Sequence, residues 1–383
     1  MRIHTVKQGE NISDIAKYYG VNERLIKIAN EIDDNQTLAT GEELLILTPT
    51  RTYTTKPGDD LTRIALRFGQ PIGALRGYNP HISGDDIRAG ETVIIKCDSR
   101  PYGMGTANGV YYKGCPAWKL KRALPYLTYL TVGAGAFDGK RISCGFDGNN
   151  VVRVAMDNGK LPLLRIYDKS DGKIYANKDE RRLYIDSIIE IASDGGYRGI
   201  TLAGSNYGRP YEEFLIELRR QMIGQDMILM SEVSPNSPIA ISDFSDGAIF
   251  SCSWEYDKDA LISFAKEGES TKTLVEIPVF AVCDNGEYIE TIDAKEKARN
   301  EKCTLEADEK HNISSFNSKK HGRISCASLH SLKKGFDLIA DLGYMGISFD
   351  VARAPLSYLL MYDALFKSVG YANVDTRVKC NQS

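Results

Sequence analysis

The first 95 residues of the chain repeat one order of hydrophobic and polar positions twice, at an offset of 49 residues. Each copy has an apolar alternation, then two short runs with apolar residues three and four positions apart, then a second alternation. This pattern predicts a strand, two helices and a strand in each copy, and its recurrence indicates an internal duplication. The matched positions include Thr5, Lys7, Gly9 and Ile12, which return as Thr54, Lys56, Gly58 and Leu61.

Local signals support the same elements in both copies. Gly9 and Gly58 stand where the first strand must turn, and glycine accepts positive φ there without steric cost. Asn11 and Asp60 follow as predicted N-caps of the first helix, because their short side chains can accept a hydrogen bond from the exposed amides of the helix. The repeated pattern in the first 96 residues therefore predicts two small modules, residues 1–48 and 50–96.

Both copies resemble the LysM module, a βααβ domain. The resemblance lies in "HTVKQGENISDIAKYYG" and "YTTKPGDDLTRIALRFG", in the Asn that ends the second helix, and in the Gly-Glu before the last strand. It implies that the chain binds N-acetylglucosamine polymers such as peptidoglycan or chitin, in a groove between two loops. The resemblance places Gly9, Glu10, Asn11, Ile12 and Ile32 in the first groove, and Gly58, Asp59, Asp60, Leu61 and Ile82 in the second. Each of these side chains also has a plain role in a turn or a small core.

Beyond residue 125, short apolar runs alternate with amphipathic stretches, which predicts parallel strands joined by crossover helices. We predict strands at 126–132, 161–167, 199–203, 227–233, 247–253, 273–282 and 346–351, with a weaker one at 141–144. Eight strands in about 250 residues fit an α/β (β/α)8 barrel. The predicted divisions are a linker at 97–124, the barrel at 125–370 with an insertion near 285–328, and a tail at 371–383.

Composition excludes several classes of function. The net charge of -3 gives no electrostatic case for nucleic acid or an anionic membrane. We expect no membrane-spanning helix and no secretory signal, because the apolar runs are strand-length and the N-terminus has one basic residue and no apolar stretch. The eight cysteines lack a CxxC pair and the five histidines lack ligand spacing, so we expect reduced thiols, no metal and no cofactor. These features predict a protein made in the cytoplasm, whereas association with a cell wall or a spore is implied by the LysM resemblance and by the resemblance of the barrel region given next.

The barrel region resembles the family 18 glycoside hydrolases, and in particular the spore cortex-lytic N-acetylglucosaminidases that carry two N-terminal LysM modules. The resemblance lies in the order of domains, in "GYRGITLAGSNYG" at the fourth strand and in "GYMGISFDVARAP" at the eighth. Active members of the family end the fourth strand with a carboxylate-rich motif. Its Glu is the general acid and an Asp two residues earlier orients the acetamido group of the substrate, which acts as the nucleophile.

The chain departs from this catalytic motif. Alignment on Gly199–Leu202 puts Ala203 at the Asp and Ser205 at the Glu, and neither side chain can perform the carboxylate's task. The motif of the sixth strand is replaced by residues 251–254, and Asp350 stands at the tryptophan of the eighth. We therefore predict a barrel that has lost this hydrolysis.

Three hypotheses stay open for the whole chain. The first is a wall-binding protein with an inactive barrel. The second is a hydrolase with relocated carboxylates, for which Glu232, Glu255 and Asp350 are the candidates and Arg165 or Arg353 the possible ion-pair partners. The third is an adaptor whose barrel binds a protein, with spore-coat proteins as candidate partners. Carboxylates gathered in one cleft would favour the second hypothesis, and an apolar barrel mouth the third.

Overall fold

The computed structural model describes residues 1–70, 72–79, 82, 87–98, 101–204, 208–234, 244–251, 258–266, 268, 270–308 and 313–368. They fall into two compact units. The first contains residues 1–104, 278–338 and 353–368, and the second contains residues 105–277 and 339–352.

The first unit begins with the two predicted βααβ modules. One consists of β1 (Arg2–Thr5), α1 (Ile12–Tyr19), α2 (Glu23–Ala29) and β2 (Glu43–Ile46), with β1 antiparallel to β2. The other consists of β3 (Pro49–Thr54), α3 (Leu61–Phe68), α4 (Ile72–Tyr78) and β4 (Thr92–Cys97), with β3 antiparallel to β4. The predicted order of elements is thus confirmed in both copies.

The predicted caps explain where the first helix of each module begins. The Asn11 side chain accepts a hydrogen bond from the Asp14 amide at 3.0 Å, and Asp60 accepts one from the Arg63 amide at 2.7 Å. Both helices end at a glycine with left-handed backbone, Gly20 and Gly69. These local bonds satisfy amides that have no partner within the helix.

A buried asparagine ties the second helix to the closing strand in each module. The Asn30 side chain donates to the carbonyls of Ile26 and Leu45, at 2.9 Å each, and accepts from the Leu45 amide at 2.7 Å. Asn79 makes the same three bonds in the second module, to Leu75 and Ile94. Since buried polar groups are costly when unpaired, this duplicated set of bonds specifies how helix and strand pack.

The second unit is a closed barrel of eight parallel strands, which confirms the predicted fold class. The barrel closes because the first strand pairs with both the second and the eighth. In chain order the strands are β5 (Gly103–Tyr111), β6 (Tyr129–Phe137), β8 (Leu161–Asp168), β9 (Gly199–Ala203), β10 (Ile228–Val233), β11 (Gly247–Phe250), β12 (Thr273–Glu276) and β18 (Gly346–Asp350).

Helices separate most of these strands along the chain. They are α5 (Ala117–Ala123), α6 (Asn149–Asp157), α7 (Lys178–Asp194), α8 (Arg209–Gly224), α9 (Lys258–Lys266), α11 (Leu329–Asp341) and α12 (Leu356–Leu365). The short strand β19 (Phe366–Ser368) follows α12. Within the described residues, no helix is both long enough and apolar enough to cross a membrane.

Two strand assignments made from the sequence are wrong. Residues 97–124, expected to form a linker, contain β5, the first barrel strand, and α5. The small residues of β5 conceal its alternation, although residues 105–110 are buried. The weak strand expected at 141–144 is β7 (Ile142–Cys144), which pairs antiparallel with the end of β6 and is not a barrel strand. The fourth strand is 199–203 as predicted, because the two errors cancel in the count.

The apolar run 273–282, predicted as one strand, is divided in the structure. β12 ends at Glu276, and β13 (Phe280–Cys283) begins a separate antiparallel sheet. Pro278 lies between them, and a proline has no amide to continue a ladder of hydrogen bonds.

The inserted subdomain therefore starts before the predicted residue 285. It contains β13, β14 (Tyr288–Glu290), α10 (Thr291–Asn300), β15 (Glu306–Asp308), β16 (Ile313–Ser318) and β17 (Gly322–Ala327), with sheet order β14-β13-β17-β16-β15. The charged helix α10 has a buried side, on which Ala294, Ala298 and Arg299 lie.

Candidate functional sites

The loop between the first strand and first helix has the same geometry in both modules. Gly9 and Gly58 have φ of 82° and 83°, as their predicted place in a turn requires. The next side chain folds back onto this turn: Glu10 accepts a hydrogen bond from the Lys7 amide and Asp59 from the Lys56 amide, both at 2.7 Å. These bonds hold each loop in a defined shape.

A second contact fixes the same carboxylate in each loop, through a different partner. Nε2 of His4 lies 3.0 Å from Glu10, whereas the Tyr53 hydroxyl donates to Asp59 at 2.7 Å. The amide of Lys7, together with His4, lowers the pKa of Glu10, and the amide of Lys56, together with Tyr53, lowers the pKa of Asp59. Both carboxylates are therefore ionised acceptors bound within their own loop.

The other predicted sugar contacts combine surface and core positions. Asn11 and Asp60 use side-chain oxygens as helix caps. Ile12 is 8% exposed, Ile32 6% and Leu61 0%, and all three belong to the module cores. Ile82 is half-buried against the core of the second module. Their part in sugar binding stays a prediction. Their roles as helix caps and core residues by themselves account for the presence of these residue types.

A cleft of about 770 Å³ runs along the predicted sugar-binding loop of the first module. Residues 9–14 form one side, and residues 34 and 36–40, from the loop before β2, form another. Lys302 and Cys303 of the inserted subdomain also line it. The cleft includes Gly9, Glu10, Asn11 and Ile12 of the predicted groove, but Ile32 does not line it, so sugar binding at this surface stays a prediction.

The barrel interior is built in layers, as alternating strand residues require. An apolar layer includes Leu163, Met230, Ile249 and Leu274. The next layer toward the carboxyl ends of the strands is polar: the Thr131 hydroxyl donates to Asn108 at 2.8 Å, and Asn108 donates to Ser348 at 3.0 Å. Thr201 of the fourth strand joins this layer through a 3.4 Å contact with Thr131.

Ala203 faces the interior at the end of the fourth strand. It lies two residues after Thr201, on the same side of β9, and is 2% exposed. At the position that aligns with the Asp that orients the substrate's acetamido group, the chain thus presents only the methyl group of Ala203 to the barrel mouth. Ser205, Trp254 and the candidate Glu255 lie outside the described residues.

Glu232 is bound by Arg165 in a two-point ion pair across the barrel mouth. Nε and Nη2 of Arg165 lie 2.6 and 2.8 Å from the two carboxylate oxygens. The guanidinium also lies over the rings of Tyr112 and Tyr167, at 5.9 and 5.6 Å from their centres. Of the two suggested partners, Arg165 is therefore the one that pairs with Glu232, and it leaves no carboxylate oxygen of Glu232 without a donor.

The third candidate, Asp350, ends the eighth strand. It is 9% exposed and accepts a hydrogen bond from the Ala352 amide at 2.8 Å. This bond holds the turn after β18. Arg353, the other suggested ion-pair residue, lies over the ring of Phe280 at 5.0 Å in the first unit.

Sequence reasoning missed Glu276, the last residue of the seventh strand. The Ser251 hydroxyl donates to it at 2.5 Å. Burial raises its pKa, and the nearby charges of Glu232 and Asp350 act in the same direction. The available signal is a carboxylate directly before Ile277-Pro278, which marks a strand end, and the prediction of one strand over 273–282 conceals it.

Comparison with known proteins identifies the modules. Residues 4–46 and 53–96 match the family model described as LysM domain. These modules are LysM domains. The duplicated loops and the paired asparagines described above are therefore features of two LysM domains in one chain.

Curated relatives match other parts of the chain as well. The putative sporulation-specific glycosylase YdhD of Bacillus subtilis is 26% identical over 215 residues, which cover 53% of this chain and 50% of YdhD. The cell wall-binding protein YocH of the same organism is 34% identical over 108 residues, 27% of this chain and 37% of YocH. The chain thus spans half or less of the length of these relatives.

The solved structure of the spore cortex-lytic enzyme SleL from Bacillus cereus matches the described architecture. It aligns with a TM-score of 0.76 and 15% sequence identity, over 97% of this chain and 99% of that one. The fold of LysM modules with a TIM-like barrel is shared, which confirms the resemblance inferred from the motifs at the level of domains and fold.

Proposed function

We propose that this chain binds peptidoglycan, or another glycan containing N-acetylglucosamine, through its two LysM domains, and that its barrel has lost family 18 hydrolysis. The inward position of Ala203 carries the second half of the proposal. The name of YocH, a cell wall-binding protein, supports the first half.

The duplicated loop geometry supports binding at two sites. Each loop has a positive-φ glycine and a carboxylate that accepts a backbone amide, so both present the same backbone shape. Two weak sites on one chain gain affinity for a polymer, since the second binding event becomes intramolecular. A repeating glycan is the kind of ligand that benefits from this arrangement.

Loss of hydrolysis follows from what the fourth strand presents to the barrel mouth. A methyl group at position 203 cannot orient an acetamido nucleophile or stabilise the positive charge that develops on it. A serine at position 205 is too weak an acid to protonate the leaving group, and general acid catalysis contributes about 10²–10⁴-fold to the rate. The nearest alternative, Glu232, is neutralised by Arg165.

The names of YdhD and SleL, a sporulation-specific glycosylase and a spore cortex-lytic enzyme, support a place at the spore. In this proposal the chain is made inside the cell and then attaches to cortex or wall peptidoglycan. Spore-coat proteins are then candidate neighbours in the assembled layer.

The test is to mix the purified chain with cortex peptidoglycan and to measure both sedimentation and release of reducing ends. We expect the chain to sediment with the polymer and to release no muropeptides. Failure to sediment would contradict the binding proposal. Release that survives Ser205→Ala but is lost with Glu232→Gln would contradict the inactive barrel.

A second candidate function, hydrolysis by relocated carboxylates, is favoured by Glu276. Burial raises the pKa of Glu276, which favours its protonated form, and it lies near Glu232 at the barrel mouth. If this pair acts, Glu276→Gln abolishes any measured release of reducing ends, whereas Asp171→Asn, a change at an exposed carboxylate of the same unit, leaves it unchanged.

A further inference from the structure

The cleft of the first LysM domain is a composite of two parts of the chain that are far apart in sequence. Its inner side is formed by residues 9–14 of the domain, and Lys302 and Cys303 of the inserted subdomain complete it. All of these residues belong to the first compact unit. A LysM domain by itself would lack the contribution from residues 302 and 303.

Several contacts fix the inserted subdomain at the edge of this cleft. Ala39 of the LysM domain packs in the hydrophobic core of the insertion, together with Ala294, Ala298 and Leu305. The Leu305 amide donates to the carbonyl of Thr40 at 2.8 Å. The composite cleft is therefore held by both a shared core and a backbone hydrogen bond.

The backbone of Lys302 is fixed as well. It has a φ of 54° and follows the end of α10, where its amide donates to the carbonyl of Arg299 at 3.1 Å and the Cys303 amide donates to the carbonyl of Ala298 at 2.9 Å. Arg299, three residues earlier, is buried in an ion pair with Glu42 of the LysM domain. The Lys302 side chain thus projects from a point that is anchored to the domain whose cleft it lines.

The charged side chains that line the cleft differ in whether they have hydrogen-bond or ion-pair partners. Its carboxylates have partners: Glu10 contacts His4, Asp14 accepts from Asn11, Glu23 accepts from Ser13 and Asp34 pairs with Lys27. Among the described residues, by contrast, the ammonium groups of Lys7, Lys17 and Lys302 make no hydrogen bond or ion pair. The lining carries four carboxylates and four lysines, so its formal charge is balanced, and the ammonium of Lys302, which none of these carboxylates binds, offers a local site for a carboxylate of the ligand.

We infer that Lys302 makes the first LysM domain selective for glycans that carry carboxylates, such as peptidoglycan strands with lactyl or stem-peptide carboxylates, over neutral chitin. This inference rests on the proposed glycan binding and adds a specificity-determining residue that lies outside the LysM domain. The sugar's acetamido group contacts the loops of the domain, while its carboxylate contacts the ammonium of Lys302 at the rim.

The experiment compares two tetrasaccharides of equal length by calorimetry on the full chain. One is the neutral tetramer of N-acetylglucosamine, and in the other alternate sugars carry a lactyl carboxylate. We expect tighter binding of the anionic tetramer at low salt, and a loss of this preference at high salt, where exposed charges are screened. An exposed ion pair of this kind is worth up to about fivefold in affinity.

Lys302→Ala and Lys302→Gly should remove the preference by weakening only the anionic tetramer, and the glycine variant also suits the left-handed backbone. Lys320→Ala, at an exposed lysine of the same subdomain outside the cleft, is the matched control. An unchanged preference in both Lys302 variants, or an equal loss in the control, would overturn the inference while leaving glycan binding intact. Absence of binding to either tetramer would contradict the proposed function itself.

Discussion

Arg299 of the inserted subdomain and Glu42 of the first LysM domain form a buried ion pair, with side chains only 2% and 1% exposed. Nη2 of Arg299 lies 2.5 Å from Oε1 of Glu42, and Nε lies 3.0 and 3.1 Å from the two carboxylate oxygens. Nη1 donates to Gln36 at 2.9 Å. This guanidinium therefore joins two segments more than 250 residues apart and orders the loop before β2.

Breaking this pair should be strongly destabilising. Arg299→Ala leaves the charge of Glu42 buried without a partner, which costs about 3–5 kcal/mol. Urea unfolding followed by circular dichroism measures the loss, and Lys173→Ala, at an exposed pair with Asp171, should change stability by less than about 0.5 kcal/mol. A similar small effect at both sites would show that the buried pair does not hold the LysM domain.

The asparagine of the second LysM domain should protect one particular amide. Asn79→Leu removes three hydrogen bonds and leaves the amide and carbonyl of Ile94 without a partner, at a cost of about 1–3 kcal/mol. Hydrogen exchange at the Ile94 amide should accelerate accordingly. Asn158→Leu is the control, since its amide donates to Val154 at an exposed helix end. Unchanged exchange at Ile94 would contradict the role of Asn79.

Glu276 should make the barrel less stable as the pH rises. Burial raises its pKa above the ordinary value of 4.5, so the folded state keeps a proton that the unfolded state releases. Its favourable contribution is therefore complete below the unfolded pKa and is lost as pH rises through the folded pKa.

Glu276→Gln keeps an acceptor for Ser251 without the charge. We expect the variant to match the wild type near pH 4 and to be more stable near pH 8, as measured by thermal unfolding across that range. Glu212→Gln, at a carboxylate in the first turn of α8, serves as the control. A difference between wild type and Glu276→Gln that does not grow with pH would show that Glu276 is ionised in the folded state.

The two positive-φ glycines should be required for wall binding. Gly9→Val or Gly58→Val places a β-branched residue at φ near 80°, which is strained and should change the loop shape, weakening cosedimentation with peptidoglycan severalfold. The double variant should lose more than either single variant, because both sites that attach the chain to the polymer are then weakened. Gly159→Val, at φ of 65° in a barrel loop with no atom within 4 Å, tests for strain alone. Equal losses in that control would contradict a binding role for the loops.

Much of the local structure was predictable from the sequence. The repeat, the caps at Asn11 and Asp60 and the turns at Gly9 and Gly58 depend on residues within a few positions of one another, and all were confirmed as structural features. The place of Ala203 at the end of the fourth strand was also confirmed. These features depend on backbone geometry and short-range hydrogen bonds, which the order of residue types specifies directly.

Other features depended on contacts that no local pattern records. The small residues of β5 became a barrel strand because β6 and β18 supply its partners. Glu276 became a candidate site residue because the ends of separate strands gather Ser251, Glu232 and Asp350 around it.

The paired LysM domains were thus determined by the sequence alone, down to the loops that we propose to bind sugar. The tertiary structure decided that the cleft of the first domain includes Lys302 and that Glu42 is bound by Arg299. The physical reason is the separation along the chain between the residues that interact. Caps and turns form between neighbours in the chain, whereas burial and charge pairing depend on which distant segments the folded core brings together.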